Sequence, residues 1–247
     1  MSNVRTSRWP LMAMTSETTG RPTLQVGMLT FPGLTLLDLV GPLTVLHGPM
    51  QTHLLWKTRE PVQSDIGVNI EPTMTFDEAP DSFDILFVPG GPGQIDLFED
   101  PTVMEFLAHH GARATWVTAV CTGSMILGAA GLLDGYRATT HWGGLGVLEM
   151  FGAEPVAERV VIDRNRITGG GVTAGIDFGL VLLDNIYGEH VARTTQLLME
   201  YDPAPPYDAG NPDGAGEAAI AASFQVLAPV AERTMAALSK RSERHGH

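Results

Sequence analysis

The sequence contains one cysteine, Cys121, and its neighbours make it the residue best placed for covalent chemistry. Thr115 to Val120 (TWVTAV) reads as a buried strand and Thr122 to Ala130 (TGSMILGAA) as a helix, so the thiol sits at a strand-to-helix turn. Ala119 and Gly123 leave room for a sharp bend, as in a nucleophile elbow. A helix N-terminus supplies unpaired N–H groups and a partial positive charge, which predict a lowered pKa and a reactive thiolate. A buried structural cysteine behaving as a small hydrophobe is the competing reading. The position argues against it, because ligands of open parallel sheets lie beyond the carboxyl ends of the strands.

Asp38 is the second candidate. It lies among leucines in LTLLDLVGP, where a carboxylate is costly unless it is paired or its pKa rises, and that makes it a candidate proton carrier. The alternative is a helix N-cap or a loop carboxylate bonded to backbone. Gly90, Gly91 and Gly93 follow a strand in PGGPG, with no Lys-Ser/Thr to make a phosphate loop; a plain tight turn would also use them. Gly169-Gly170-Gly171-Val172 precedes a helix in the same way, and Asp177, one turn into it, reads as a structural contact to nearby backbone. His141 ends ATTHW and reads as a structural or pocket residue rather than a catalytic one, with Trp142 beside it as core or dimer contact. His109 and His110 are adjacent on a helix and diverge, and one cysteine cannot build a structural zinc cluster, so no metal site is expected. No dinucleotide GxGxxG fingerprint lies between a strand and a helix.

The elements that must hold these residues alternate. Strands are predicted at Gln25–Phe31, Thr52–Lys57, Asp84–Val88, Thr115–Val120 and Arg137–Thr140, with an extended arm or hairpin at Asn69–Phe76 and a hairpin around Asp163-Arg164-Asn165. Helical spacing covers Leu36–Leu46, broken early at Gly41-Pro42, and then Thr102–His110, started by Asp100-Pro101. Further helices are predicted at Ala174–Tyr187, Glu189–Glu200 and Ala218–Leu238, the last interrupted at Pro229 and carrying Lys240, Arg241 and Arg244 near its end. Tyr201–Gly216, rich in Pro, Gly and Asp, is an extended loop. Buried strands alternating with helices predict an α/β fold, a mostly parallel sheet with helices on both faces in three layers. With 247 residues, 44 % apolar and 17 % charged, residues 23–247 fit one domain after a mobile extension at 1–22. The net charge of −13 opposes nucleic-acid binding. A lone cysteine and no uninterrupted apolar run of membrane-spanning length point to a cytoplasmic protein.

Ala119 to Trp142 (AVCTGSMILGAAGLLDGYRATTHW) resembles the nucleophile segment of the ThiJ/PfpI superfamily, which is related to class I glutamine amidotransferases and has a flavodoxin-like, doubly wound sheet. Pro89–Gly91 matches a second element of that superfamily. LDLVGP (37–42), ITGGGVTAGIDF (167–178) and MEYDPAPPYDAGNPD (199–213) resemble, more narrowly, its isonitrile hydratase group. This resemblance implies a cofactor-free hydro-lyase, a homodimer, that turns a small apolar isonitrile into an N-substituted formamide through a cysteine thioimidate. It implies Cys121 as nucleophile and Asp38 as general acid/base paired with the sulfur. The N–H groups of Thr122 and Gly91 become the anion-stabilising donors, and the turn at Gly170 and Val172 borders the pocket. Thr122 stands where the superfamily's putative peptidases have histidine, which argues against an adjacent Cys-His pair. Other cysteine enzymes of this scaffold (hydrolase, amidase, glyoxalase) and a non-catalytic redox sensor are the alternatives. A transcription factor is disfavoured, since the residues after the Pro-rich loop are too few for two helix-turn-helix units.

Overall fold

The structure is a computed structural model and describes residues 22–245; the extension 1–22, apart from Pro22, lies outside the described residues. Its centre is a seven-stranded sheet in the order β10-β11-β7-β6-β1-β2-β5. The strands are β1 (Gln25–Leu29), β2 (Gln51–Trp56), β5 (Met74–Thr75), β6 (Ile85–Val88), β7 (Trp116–Val120), β10 (Val160–Asp163) and β11 (Arg166–Gly169). Within this sheet all pairings are parallel except the β10–β11 hairpin, which turns at Arg164 and Asn165 as predicted. The short pairs β3 (Val62–Gln63) with β4 (Asn69–Ile70), and β8 (Arg137–Ala138) with β9 (Glu154–Pro155), stand apart from it.

Central strands such as ILFV in β6 are buried at every position, which is why they read as continuous apolar runs and not as alternation. The helices fall into two groups. One comprises α1 (Leu36–Leu46), α5 (Ala174–Tyr187) and α6 (Glu189–Leu198). The other comprises α2 (Gln94–Leu97), α4 (Gly123–Ala129), a 3-10 helix (Trp142–Phe151) and α7 (Pro212–His245). Between β6 and β7 runs α3 (Pro101–Gly111), with Pro at its first position and the Asp100 carboxylate accepting from Val103 N–H at 3.3 Å. That is the start signal expected from the sequence. Each Phe or Leu sealed between these layers contributes about 1.5–3 kcal/mol, and Phe31, Phe87, Phe98 and Phe178 are fully buried.

Two local expectations are corrected and two features were not foreseen. Helix α1 runs through Gly41-Pro42 without a break, because that segment packs closely against Gly175 and Ile176 of α5 and tertiary contact outweighs the lost hydrogen bond. Pro229 does not interrupt α7; the break is at Gly216 (φ 76°, ψ 158°). Residues 142–151 form a 3-10 helix, which the glycines at 143, 144 and 146 hid. Finally, residues 212–241 contain a window of mean hydropathy 1.2, long and apolar enough by length and composition to cross a membrane. Polar residues such as Ser223 and Gln225 cut it into short runs in the sequence. The end of this helix is nevertheless docked: Thr234 and Leu238 are buried, and Arg241 donates to the carbonyls of Phe98 (2.7 Å) and Ala129 (2.5 Å).

The turn that carries the cysteine depends on Gly123. A Cβ there would overlap the Val88 carbonyl and stand 2.8 Å from that of Pro89. Gly123→Ala is expected to lose about 1–3 kcal/mol or more in urea unfolding. Gly146→Ala, whose Cβ meets nothing within 4 Å, should stay within about 0.5 kcal/mol of the parent.

Candidate active site

The strand order reverses between β1 and β6, and the chain leaves the carboxyl ends of β1, β6, β7 and β11 toward one place, the usual ligand position of such a sheet. After β1 comes α1 with Asp38; after β6, Gly90 and Gly91; after β7, Cys121 and Thr122; after β11, Gly170 and Val172.

Cys121 has φ 52°, one of three non-glycine residues with positive φ among the described residues. Left-handed backbone at a side-chain-bearing residue is strained and persists only where the surroundings impose it. Here they do. Cys121 N–H donates to the carbonyls of Gly169 (3.0 Å) and Gly170 (2.7 Å), and its own carbonyl accepts from the buried Thr140 hydroxyl at 2.7 Å. Ser124 Oγ donates to Thr139 O at 2.7 Å, and Thr139 N–H donates to Thr168 Oγ1 at 2.9 Å. The elbow is therefore tied to β11 on one side and to the segment before His141 on the other.

Asp38 is fully buried as the third residue of α1, while Thr35 occupies the N-cap position. The capping alternative therefore does not apply. Its Oδ2 accepts from Gly90 N–H at 3.0 Å, and Oδ1 has no partner of good hydrogen-bond geometry. Burial raises its pKa from the ordinary 3.8 to about 7. The Gly90 N–H and the Cys121 thiol pull it back down, and the nearby Asp65 charge pushes it further up. The sulfur and this carboxyl thus face one another.

The expected resting thiolate is corrected. Burial, followed by the Asp38 charge, holds the Cys121 thiol well above its usual pKa, and the Thr122 N–H and hydroxyl offset this only in part. The N-terminus of a seven-residue helix does not outweigh the burial of Cys121, 5 % exposed as a residue, beside a carboxylate. The resting pair is a thiol next to a carboxyl group that titrates near neutrality.

Thr122 links the elbow to the glycine turn after β6: its Oγ1 accepts from Gly91 N–H at 3.0 Å. The Gly91 N–H, expected to face a ligand, is occupied in holding that hydroxyl, so Gly91 positions Thr122. Gly170 likewise positions the elbow, its N–H donating to Arg159 O (2.9 Å) and its carbonyl accepting from Cys121. Val172 is half-buried in the turn before α5. Gly90 must be glycine, since a Cβ would lie 2.6 Å from both Thr122 N and Oγ1 and 3.0 Å from Asp38 Oδ2. Asp177 contacts side chains and not backbone: Arg159 Nε donates to it at 2.5 Å and Tyr201 OH at 3.1 Å.

Beside the elbow is a cavity of about 90 Å3, walled by Thr122, His141, Gln94, Met125, Leu227 and Val230 among others. Its far wall is α7. His141 Nδ1 accepts from Gly143 N–H at 3.2 Å and burial lowers its pKa, so it is a neutral wall residue that caps the 3-10 helix. Trp142 meets Phe224 of α7 edge-on, centroids 5.1 Å apart. Gln94, Thr140 and Arg159 were not singled out from the sequence; only the position of Gln94 directly after PGGPG hinted at its place.

A parallel α/β sheet with a strained cysteine at a strand-to-helix elbow, backed by a buried carboxyl, defines the class as an elbow-cysteine protein of the flavodoxin-like kind. The chain belongs to the DJ-1/PfpI family, whose model matches residues 25–185. It is 46 % identical over 227 residues to isonitrile hydratase of Pseudomonas putida, covering 88 % of this chain and 99 % of that one. The transcriptional regulator GbdR of Pseudomonas aeruginosa is 32 % identical over 189 residues, 72 % of this chain but 50 % of the regulator. Among solved structures, a ThiJ/PfpI family protein from Pseudomonas syringae has 40 % identity and a TM-score of 0.85, covering 96 % of this chain and 97 % of that one.

Asp38 keeps its proton more readily folded than unfolded. Its contribution to stability is fully present below about pH 4 and is lost as pH rises through about 7. Asp38→Asn should therefore raise urea stability by about 2–4 kcal/mol at pH 8, with the gain fading toward pH 4.

Proposed function

We propose that the protein is an isonitrile hydratase that adds water to R–NC to give the formamide R–NH–CHO, with Cys121 as nucleophile and Asp38 as the proton carrier. One observation carries the reading: a raised thiol faces a buried carboxyl with a pKa of about 7. This suits chemistry in which the thiol proton must itself be moved. The 46 % identity to a named isonitrile hydratase over nearly its whole length supports the same reading.

The terminal carbon of an isonitrile takes both a nucleophile and a proton. Asp38 carboxylate takes the thiol proton as sulfur bonds to that carbon, then delivers it to the same carbon, giving the thioimidate R–N=CH–S–Cys121. No leaving group departs. Asp38, again ionised, accepts a proton from water as the water oxygen adds to carbon, and passes it to nitrogen, giving R–NH–CH(OH)–S–Cys121. The hydroxyl proton then moves to sulfur as the C–S bond breaks and the carbonyl forms. Thr122 N–H and hydroxyl stabilise sulfur whenever it carries charge. The reaction as written uses no cofactor, and the apolar cavity wall suits a weakly polar substrate.

A redox-sensing role fits less well, because peroxide attacks exposed thiolates of low pKa. Residues 23–247 would act as one domain in the cytoplasm, as a homodimer. The exposed side chains of Phe224 and Val226, in a stretch from Ala218 to Ala231 without a charged residue, offer a surface for a second copy.

Purified protein should convert para-nitrophenyl isocyanide to the formamide, and Cys121→Ser should lose at least about 10³-fold in kcat. Because Asp38 must be ionised to take the thiol proton, kcat/KM should fall as pH drops through about 7. Asp38→Asn should be slower by about 10²–10⁴ and lack that limb. Conversion by Cys121→Ser at the parent rate would end the nucleophile assignment.

A further inference from the structure

Gln94 opens α2, directly after the Pro89–Gly93 turn. The residue is 2 % exposed, and its Oε1 is buried with no hydrogen-bond partner. Burying an amide oxygen unpaired costs roughly 1–3 kcal/mol, and among the described residues only Asp38 Oδ1 and His110 Nδ1 share this condition. Gln94 lies on the wall of the cavity that Thr122 and His141 also line. The His141 Nδ1 there is already engaged by Gly143 N–H, Met125, Leu227 and Val230 offer nothing polar, and the hydroxyls of Thr122 and Thr234 on the same wall make no hydrogen bond to Gln94 Oε1.

The reaction supplies a matching donor, but only late. An isonitrile nitrogen carries no proton. After the thioimidate takes up water, the nitrogen of R–NH–CH(OH)–S–Cys121 does, and it keeps that proton in the formamide. We propose that Gln94 Oε1 accepts a hydrogen bond from this newly formed N–H, making Gln94 a catalytic residue that stabilises the tetrahedral adduct and product over the incoming isonitrile. An acceptor that gains its partner only as the reaction proceeds raises kcat without tightening ground-state binding. The inference rests on the hydratase reading above.

Gln94→Met keeps the length of the side chain and removes the acceptor. It should lower kcat for an aryl isonitrile about tenfold while KM stays within about twofold. An unchanged kcat, or a loss carried wholly by KM, overturns the assignment. A second measurement needs no activity from the variant: equilibrium binding, by titration calorimetry, of the product formamide and of its N-methyl analogue, which lacks the N–H. The parent should bind the N–H form about tenfold more tightly and Gln94→Met should bind the two alike. Equal discrimination by both proteins overturns the inference. Turnover by the parent separates the two claims, since a parent that hydrates no isonitrile overturns the hydratase reading and this inference with it, whereas full activity in both proteins overturns only the role of Gln94.

Discussion

The structure is organised around one unfavourable arrangement, a carboxyl group fully buried against a thiol. Neither group would ionise easily where it sits; the Asp38 charge makes ionisation of the thiol harder still, whereas the hydrogen bond from the thiol eases ionisation of Asp38 without offsetting its burial. Such a pair holds a mobile proton in reserve, at a cost in folding stability that the large core of a seven-stranded α/β sheet can sustain. The helix N-terminus is a secondary influence. It contributes the Thr122 N–H, which softens the penalty on sulfur without reversing it.

Holding that pair in register requires backbone approaches closer than side chains allow. Gly90 lets β6 approach both Asp38 and Thr122, and Gly123 lets the elbow pass beneath the carbonyls of Val88 and Pro89. The left-handed Cys121 is then fastened from two directions, by the carbonyls after β11 and by the Thr140 hydroxyl. The network Arg159–Asp177–Tyr201 ties the first turn of α5 to the start of the Pro-rich loop. The sheet supplies coarse position, and a few buried hydroxyls and glycines supply the last fraction of an ångström.

Much of this was legible in the chain. Continuous apolar strands followed by glycine turns reveal a parallel sheet, and a lone cysteine between a strand and a helix reveals the elbow. Asp38 was legible because a carboxylate among leucines needs a reason. Other features depend on partners distant in sequence. The direction of the Cys121 shift depends on Asp38, far away in the chain. The Gly91 N–H could not be known to be taken until the Thr122 hydroxyl was placed. Gln94 looks like an ordinary polar residue after a turn, and its importance lies in burial and in what it lacks. Helix α1 survives its proline because of α5, which no local propensity encodes.

The central claim is that Cys121 adds to the isonitrile carbon without expelling any group. Rapid acid quench of the protein mixed with excess aryl isonitrile, followed by intact-protein mass spectrometry, tests it directly. The account predicts a transient species heavier by the mass of the whole isonitrile, located on the peptide containing Cys121 and missing in Cys121→Ala. A mass gain smaller than the substrate, as in acyl transfer with a leaving group, would contradict it. So would formamide accumulating in Cys121→Ala at the parent rate.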